Sequence, residues 1–329
     1  MTGRRQIFIA LDLGGTSFKA GVVSSAGQVI GRTRRPTPKS EDYQEILSTI
    51  LGLFKDLEAI CPSEVDVPKC GVAVGVPGLV SPPSGDVTDC FNIFGKRYPT
   101  VHLGRDLREL TGREVRVDRD VNLAALGEHW MGAGKGQENL VCVFIGTGIG
   151  GGIIMNGQLI RGSLGAAGEF GHITVERNGS LCGCGNRGCV EQYASGTAIA
   201  RRFFEATRAA EGYSKLEQEP TEGKATRQVF DLAKSGDPLA TRVIDEACKN
   251  LGLAIANVVT LLGPDLVVLG GGVARQFDFI VTRVRAEIRA RCRPAVYDAC
   301  SLVASALWDD AALVGGAKLF IAPWNGGQG

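Results

Sequence analysis

The sequence predicts an α/β protein of two similar halves, on three observations. Short apolar runs alternate with helical stretches along the chain. A strand, glycine turn and strand at the start, "IFIALDLGGTSFKAGVVSSAGQVIG", return as "VCVFIGTGIGGGIIMNGQLIRG", so that the GQVI at Gly27 is answered by the GQLI at Gly157. The 329 residues, 44% hydrophobic and 22% charged, are enough for two buried cores.

The elements follow in order. Residues 7–13 are an apolar run carrying Asp12, which reads as a strand; "GGTSFKAG" reads as a turn, and "VVSSAGQVIG" as a second strand extending to Arg35. A helix is expected over 41–60, a strand at "KCGVAVGVPG", and an aspartate-bearing junction at "VRVDRDVNLAALGEHW". After the second copy come helices near 196–210, 224–235 and 239–262, then "DLVVLGGGV", a buried strand running into Gly270, Gly271 and Gly272 and opening a last helical region. The expected division is an N-terminal lobe over 1–118, rejoined by a helix within 305–329, and a larger lobe over 119–304.

Composition excludes several classes of partner. The formal charge is +1 and no Lys/Arg run exceeds a pair, so neither nucleic acid nor an anionic membrane is expected. The apolar run after Arg5 is interrupted by Asp12 and lacks a small-residue cleavage site, so it is not read as a secretory signal. The run from Leu251 is shorter than the roughly 18 residues that span a bilayer.

Seven of the ten cysteines (61, 70, 90, 142, 248, 292, 300) are scattered without framework spacing and read as buried free thiols of a cytoplasmic protein. The others crowd into "EFGHITVERNGSLCGCGNRGCVEQY". Cys182, Cys184 and Cys189 with His172 make a Cys₃His set suited to tetrahedral Zn²⁺, and with all four positions filled by protein the ion would be structural. A redox pair is the other reading, although C-x-x-C near a βαβ unit is its usual form.

The glycine loops bear on chemistry. "GTGIGG" from Gly146 fits G-x-G-x-x-G, but a dinucleotide fingerprint must open a helix, and "GGIIMNGQLI" reads as a strand. What remains is two glycine hairpins whose backbone N–H groups can approach phosphate oxygens, with Thr16, Lys19 and Thr147 as further donors. Either hairpin by itself is also compatible with a plain tight turn.

"DLGGTSFKAG", "FIGTGIGGGI" and "LVVLGGGV" resemble the two phosphate motifs and the adenosine motif of the sugar kinase, actin and chaperone ATPase superfamily. Within it, "GEFGH" followed by "CGCGNRGCVE" resembles the ROK family of sugar kinases and related repressors. The resemblance runs from Ile7 to about Phe320. It implies a two-lobed actin-like ATPase, ribonuclease H-like fold with its active site in an interdomain cleft, phosphorylating a sugar or sugar-like polyol hydroxyl with ATP and Mg²⁺. It also implies a homo-oligomer, dimer or tetramer.

Site roles carry over by motif. Asp120 falls at the catalytic aspartate, which accepts the proton of the attacking hydroxyl; a helix N-cap is its alternative reading. Asp12, Gly14, Gly15, Thr16, Lys19, Gly146, Thr147, Gly148 and the three glycines at 270–272 take the nucleotide, Asp12 holding Mg²⁺ through water. Gly78, Asn92, Arg119, Asp120, Glu169, His172 and Glu191 take the acceptor, and His172 would bind zinc through one ring nitrogen and a sugar hydroxyl through the other. Arg119 departs from the pattern, since many family glucokinases have Asn there, and "CFNIFGKRY" keeps only Asn92 of the usual sugar loop. An amino sugar, an N-acetylated hexosamine, another hexose or a cyclitol therefore stands beside glucose, while a structural salt bridge is the other reading of Arg119. Of the non-enzyme alternatives, a repressor is disfavoured because only six residues precede Ile7, and a non-catalytic sugar sensor because Asp120 and both loops are kept.

Overall fold

The computed structural model describes residues 6–40, 42–61, 70–81, 83–95, 97–209 and 224–321. Positions 41, 210 and 322–329, where parts of two expected helices and the expected C-terminal segment fall, lie outside them. The chain opens with β1 (Ile7–Leu13), β2 (Ser17–Ser24), β3 (Val29–Pro36), α1 (Tyr43–Ile60), β4 (Gly71–Val76), β5 (Leu79–Ser81), β6 (Asp86–Thr88), α2 (Phe91–Phe94) and β7 (Thr100–Val101). It continues with α3 (Leu103–Thr111), β8 (Val115–Arg119), α4 (Asp120–Met131), β9 (Leu140–Ile145), β10 (Ile149–Met155), β11 (Gln158–Ile160), α5 (Glu191–Ala194) and α6 (Gly196–Ala209). The rest is α7 (Lys224–Lys234), α8 (Pro238–Leu262), β12 (Leu266–Gly270), α9 (Gly271–Ala274), α10 (Phe277–Arg291), α11 (Pro294–Ala299), β13 (Ser301–Ala304) and α12 (Ala311–Ile321).

Two five-stranded sheets have matching orders, β3-β2-β1-β4-β8 and β11-β10-β9-β12-β13. In the first, β1, β4 and β8 run parallel, β2 is antiparallel to β1 and β3 antiparallel to β2; in the second, β9, β12 and β13 run parallel. The repeated GQ-hydrophobic pair marks the same bend in each, because Gly27 and Gly157 both take a positive φ (79° and 71°) between consecutive antiparallel strands. The mixed α/β class is as expected.

The chain divides into two compact units: Met1–Glu138 with Gly152–Gly168 and Ala306–Gly329, and Asn139–Gly151 with Glu169–Ser305. The division falls at Glu138/Asn139 rather than 118/119, because α4 packs on α12 within the first unit. Two glycines make that crossing close. A Cβ at Gly127 would run into the Ala311 carbonyl, and one at Gly315 into the Leu123 carbonyl.

In the first unit, α1 begins where the Asp42 carboxylate accepts the Gln44 N–H at 2.9 Å, and it buries Ile46, Leu47, Ile50, Leu53, Phe54 and Leu57 at helical spacing. These pack with Ile9, Leu11, Phe18 and Val74 of the sheet. The first glycine turn is shorter than expected: it covers Gly14–Thr16, and Ser17 already belongs to β2, where buried Phe18, Ala20 and Val22 alternate with Ser17 and Lys19. In the second unit, α8 is capped by Asp237, which accepts from Leu239 and Ala240 N–H, with Pro238 in the first turn and Gly263 in the left-handed conformation at the end.

Candidate active site

Parallel β1, β4 and β8 bring their carboxyl ends together, the part of an open α/β sheet where ligand groups gather. Asp12 stands opposite Gly75, and Gly75 opposite Asp118. A Cβ on Gly75 would lie 3.2 Å from the Asp120 Cα, so glycine lets α4 start close against β4. The Lys19 ammonium, across the ladder from Asp12, sits 3.7 Å from its carboxylate and 3.5 Å from that of Asp309. Burial pushes the Asp12 carboxyl above the ordinary aspartate range; Lys19 pulls it back and Asp309 adds repulsion. Gly15 and Thr16 are exposed at the loop between them.

Asp120 is the first residue of α4, one position earlier than expected, with Arg119 as the flanking cap residue. Its Oδ1 accepts the Val121 N–H at 2.8 Å, and in this first turn the helix dipole favours the ionised carboxylate. The preceding Asp118 is 1% exposed and accepts from the Arg119 N–H, the Asn122 amide and the Arg161 Nε, each at 2.8 Å. Arg119, 6% exposed, donates from Nη1 to the Ala167 carbonyl at 2.7 Å, and the Ala167 N–H closes onto the Arg161 carbonyl at 2.9 Å. The loop 161–167 is thus fastened to the end of β8 at both its ends.

Gly78 has φ +98°, and a Cβ there would lie 2.7 Å from the Thr88 carbonyl. Asn92 is exposed in α2. The nearby Cys90 thiol is pushed up to about 12 by burial and by the Asp120 charge.

In the second unit, the Gly146–Gly148 turn closes through a Gly146 N–H to Gly148 carbonyl bond of 2.9 Å. The Gly146 carbonyl accepts the Gly196 N–H at 2.8 Å, and the Thr226 hydroxyl in turn holds the Gly196 carbonyl at 2.8 Å. Because β10 follows at Ile149, the loop opens a strand, which removes the dinucleotide reading. Glu191 Oε2 accepts the Ile149 N–H at 2.8 Å. At the end of β12, Gly270 is extended and Gly271 has φ +82°, where a Cβ would meet the Ile145 carbonyl at 2.6 Å; at Gly272 it would meet open space.

His172 lies in a 3₁₀ turn, Phe170–His172, and its two nitrogens face different groups. Nδ1 is 3.6 Å from Cys182 Sγ, and Nε2 is 3.5 Å from Glu169. Cys184 and Cys189 Sγ are 3.7 Å apart, and the four donor atoms all lie within 4.8 Å of one another. A tetrahedral ion with metal–sulfur bonds of about 2.3 Å and a metal–nitrogen bond of about 2.0 Å has edges of about 3.8 and 3.5 Å, so the donor set fits it. The loop is a tight hairpin: the Cys182 N–H reaches the Asn186 carbonyl at 2.8 Å, with Gly185 and Gly188 at positive φ. Burial raises the Cys189 thiol to about 12, while at Cys184 the Asn186 backbone and the neighbouring sulfurs outweigh burial and lower it. All ten cysteines are free; Cys61 and Cys300 are half-buried rather than buried as expected.

Asp118, Arg161 and Thr226 escaped the sequence reading. The signal for the first was present: a second carboxylate in an apolar strand demands buried partners. No described helix is long and apolar enough to cross a membrane.

The chain matches the ROK family over residues 8–322. It is 36% identical over 315 residues to a glucokinase of Halalkalibacterium halodurans, covering 95% of this chain and 94% of that one. It is 33% identical over 281 residues to an N-acetyl-D-glucosamine kinase of Yersinia enterocolitica, covering 82% and 84%. Among solved structures, a ROK family glucokinase from Streptomyces griseus in complex with glucose and AMPPNP matches at a TM-score of 0.78 and 32% identity, covering 95% of this chain and 98% of that one.

Proposed function

The chain belongs to the ROK family and is an ATP-dependent sugar kinase, and from that premise we propose that its preferred acceptor is glucose, with Asp120 as the base. The observation that carries this reading is the Arg119 to Ala167 bond. It gives the departing residue a main-chain partner, so an arginine in place of asparagine does not by itself call for a different sugar. An N-acetylated hexosamine is the second reading, favoured by the similarity to the N-acetyl-D-glucosamine kinase.

In the proposed reaction Asp120 accepts the proton of the acceptor hydroxyl as its oxygen bonds to the γ-phosphorus and the bond to the bridging β–γ oxygen breaks, releasing ADP. A carboxylate at a helix N-terminus suffices, because a loose phosphoryl-transfer transition state needs an oriented oxygen more than a strong alkoxide. Glu169, His172 and Glu191 take acceptor hydroxyls, and the 14–16 and 146–148 loops with Lys19 take the phosphates. Mg²⁺ bound with ATP would neutralise phosphate charge, held on the protein side by Asp12. Zn²⁺ on His172, Cys182, Cys184 and Cys189 would be structural, fixing the tautomer and aim of His172 and, through the hairpin, the start of α5. The free thiols fit a cytoplasmic setting. We also propose a homo-oligomer with no nucleic-acid partner.

The test is a panel of hexoses, amino sugars, N-acetylhexosamines and cyclitols with ATP, read by ADP release, with Asp120→Asn as control. Glucose should give the highest kcat/KM; an N-acetylhexosamine or cyclitol leading the panel would overturn the acceptor assignment. Asp120→Asn should lower kcat by about 10²–10⁴, and near wild-type turnover would remove Asp120 as the base.

A further inference from the structure

An anion-binding loop must present N–H groups and turn its carbonyls away. In a trans peptide the C=O of one residue and the N–H of the next point in opposite directions, so fixing a carbonyl on one side fixes the following N–H on the other. The Gly14–Thr16 loop has two of its carbonyls held in this way by a single residue outside it. The Thr37 hydroxyl donates to the Gly14 carbonyl at 2.6 Å, and the Thr37 N–H donates to the Thr16 carbonyl at 3.1 Å. Thr37 is 8% exposed and directly follows β3, whose last residue, Pro36, stands opposite Ser17. The Gly15 and Ser17 N–H groups belong to the same peptide units as the two held carbonyls. At exposed Gly15, no N–H bond to a protein acceptor occurs among the described residues.

We propose that Thr37 is the positioning residue of the first phosphate loop. Its hydroxyl turns the Gly14–Gly15 peptide so that the Gly15 N–H faces the nucleotide phosphates, and its own N–H fixes the other end of the loop. The inference rests on the reading of residues 14–16 as a phosphate loop. The second loop has a counterpart: the Gly196 N–H holds the Gly146 carbonyl, which turns the Thr147 N–H the opposite way. There the brace is a helix start that is itself held by a threonine hydroxyl, Thr226. Each loop therefore has its first carbonyl secured from outside.

The test compares Thr37→Val, which keeps shape and removes the donor, with Thr37→Ser, which keeps the donor. Steady-state kinetics with MgATP and acceptor varied separately, and ligand-free thermal melts, are the readouts. Thr37→Val should raise KM for MgATP about tenfold, the effect of leaving the half-buried Gly14 carbonyl unbonded and that end of the loop untethered, with acceptor KM unchanged within about twofold. Thr37→Ser should restore the wild-type KM for MgATP. A MgATP KM unchanged in Thr37→Val, or raised equally in both variants, or a rise matched in acceptor KM, would overturn the proposal. Gly15→Val separates the premise, since its side chain enters open space on the loop. If it leaves the MgATP KM unchanged, the phosphate-loop reading itself falls; if it raises KM while Thr37→Val does not, only the role of Thr37 does.

Discussion

The Glu191 carboxylate accepts the Ile149 N–H at 2.8 Å, so a side chain expected to hold the acceptor is bonded to the residue that follows the Gly146–Gly148 loop expected to hold phosphates. The residues proposed for acceptor and for phosphates in this unit are thus one hydrogen-bonded piece. Gly148 makes room for it, since a Cβ there would stand 2.5 Å from Glu191 Oε2. Gly148→Ala is expected to displace the carboxylate and raise KM for both acceptor and MgATP, by about tenfold or more if some 1.4 kcal/mol of binding is lost in each. Two-substrate kinetics check it; a change confined to MgATP would mean that Glu191 is not linked to acceptor binding.

Metal analysis of protein purified under reducing conditions should find about one zinc per chain, as a single Cys₃His set requires. Cys184→Ser should lose the metal and raise acceptor KM while leaving MgATP KM near wild type, because His172 loses its anchor but the 14–16 loop does not. Full acceptor affinity in metal-free protein would refute the coupling.

Arg119→Asn removes a charged donor from the Ala167 carbonyl, an interaction worth about 1.5–3 kcal/mol. The loop it releases leads in the chain to Glu169, so acceptor KM should rise roughly tenfold or more for glucose and N-acetylglucosamine alike. Kinetics on both sugars decide; unchanged constants for both would make the arginine dispensable.

Asp12 carries a pH signature. Its native carboxyl is raised above the 3.8 of an ordinary aspartate, chiefly by burial. Folding therefore favours the protonated form: that contribution is full below 3.8 and is lost as pH rises through the native value. At neutral pH the charge is held against this penalty, so ligand-free Asp12→Asn should melt above wild type at pH 7, the gap closing as pH falls past the aspartate range. The same variant should bind MgATP more weakly. Melting curves across pH, paired with titrations of MgATP, test both halves, and a lower melting point at pH 7 would contradict the burial argument.

Much of this was legible because period and punctuation are local. Alternating β2, the capped and amphipathic α1 and α8, and the cysteine spacing each show in a short window of residues. The repeated GQ pair showed the duplication because both hairpins need a residue at positive φ at the same bend. The end of the first glycine turn was misjudged because glycines at 14, 15 and 21 suggest a long loop, whereas Phe18 and Ala20 are buried sheet positions. Asp118 with Arg161, and Thr37 with Gly14, were not legible: each joins residues far apart in the chain, and a threonine after a strand looks like any other.

The glycine crossing of α4 with α12 has a consequence for the order in which the protein matures. The helix that begins with Asp120 precedes the second unit in the chain, but the helix it packs on, residues 311–321, is made only after the whole of that unit. The first unit is accordingly closed by chain from three separate stretches. A ribosome-bound chain can thus carry every glycine proposed for the phosphates and every residue proposed for zinc while Asp120, the proposed base, still lacks the surface that seats its helix. Activity should appear only once residues 311–321 have been made, which spares the cell a half-folded kinase that spends ATP.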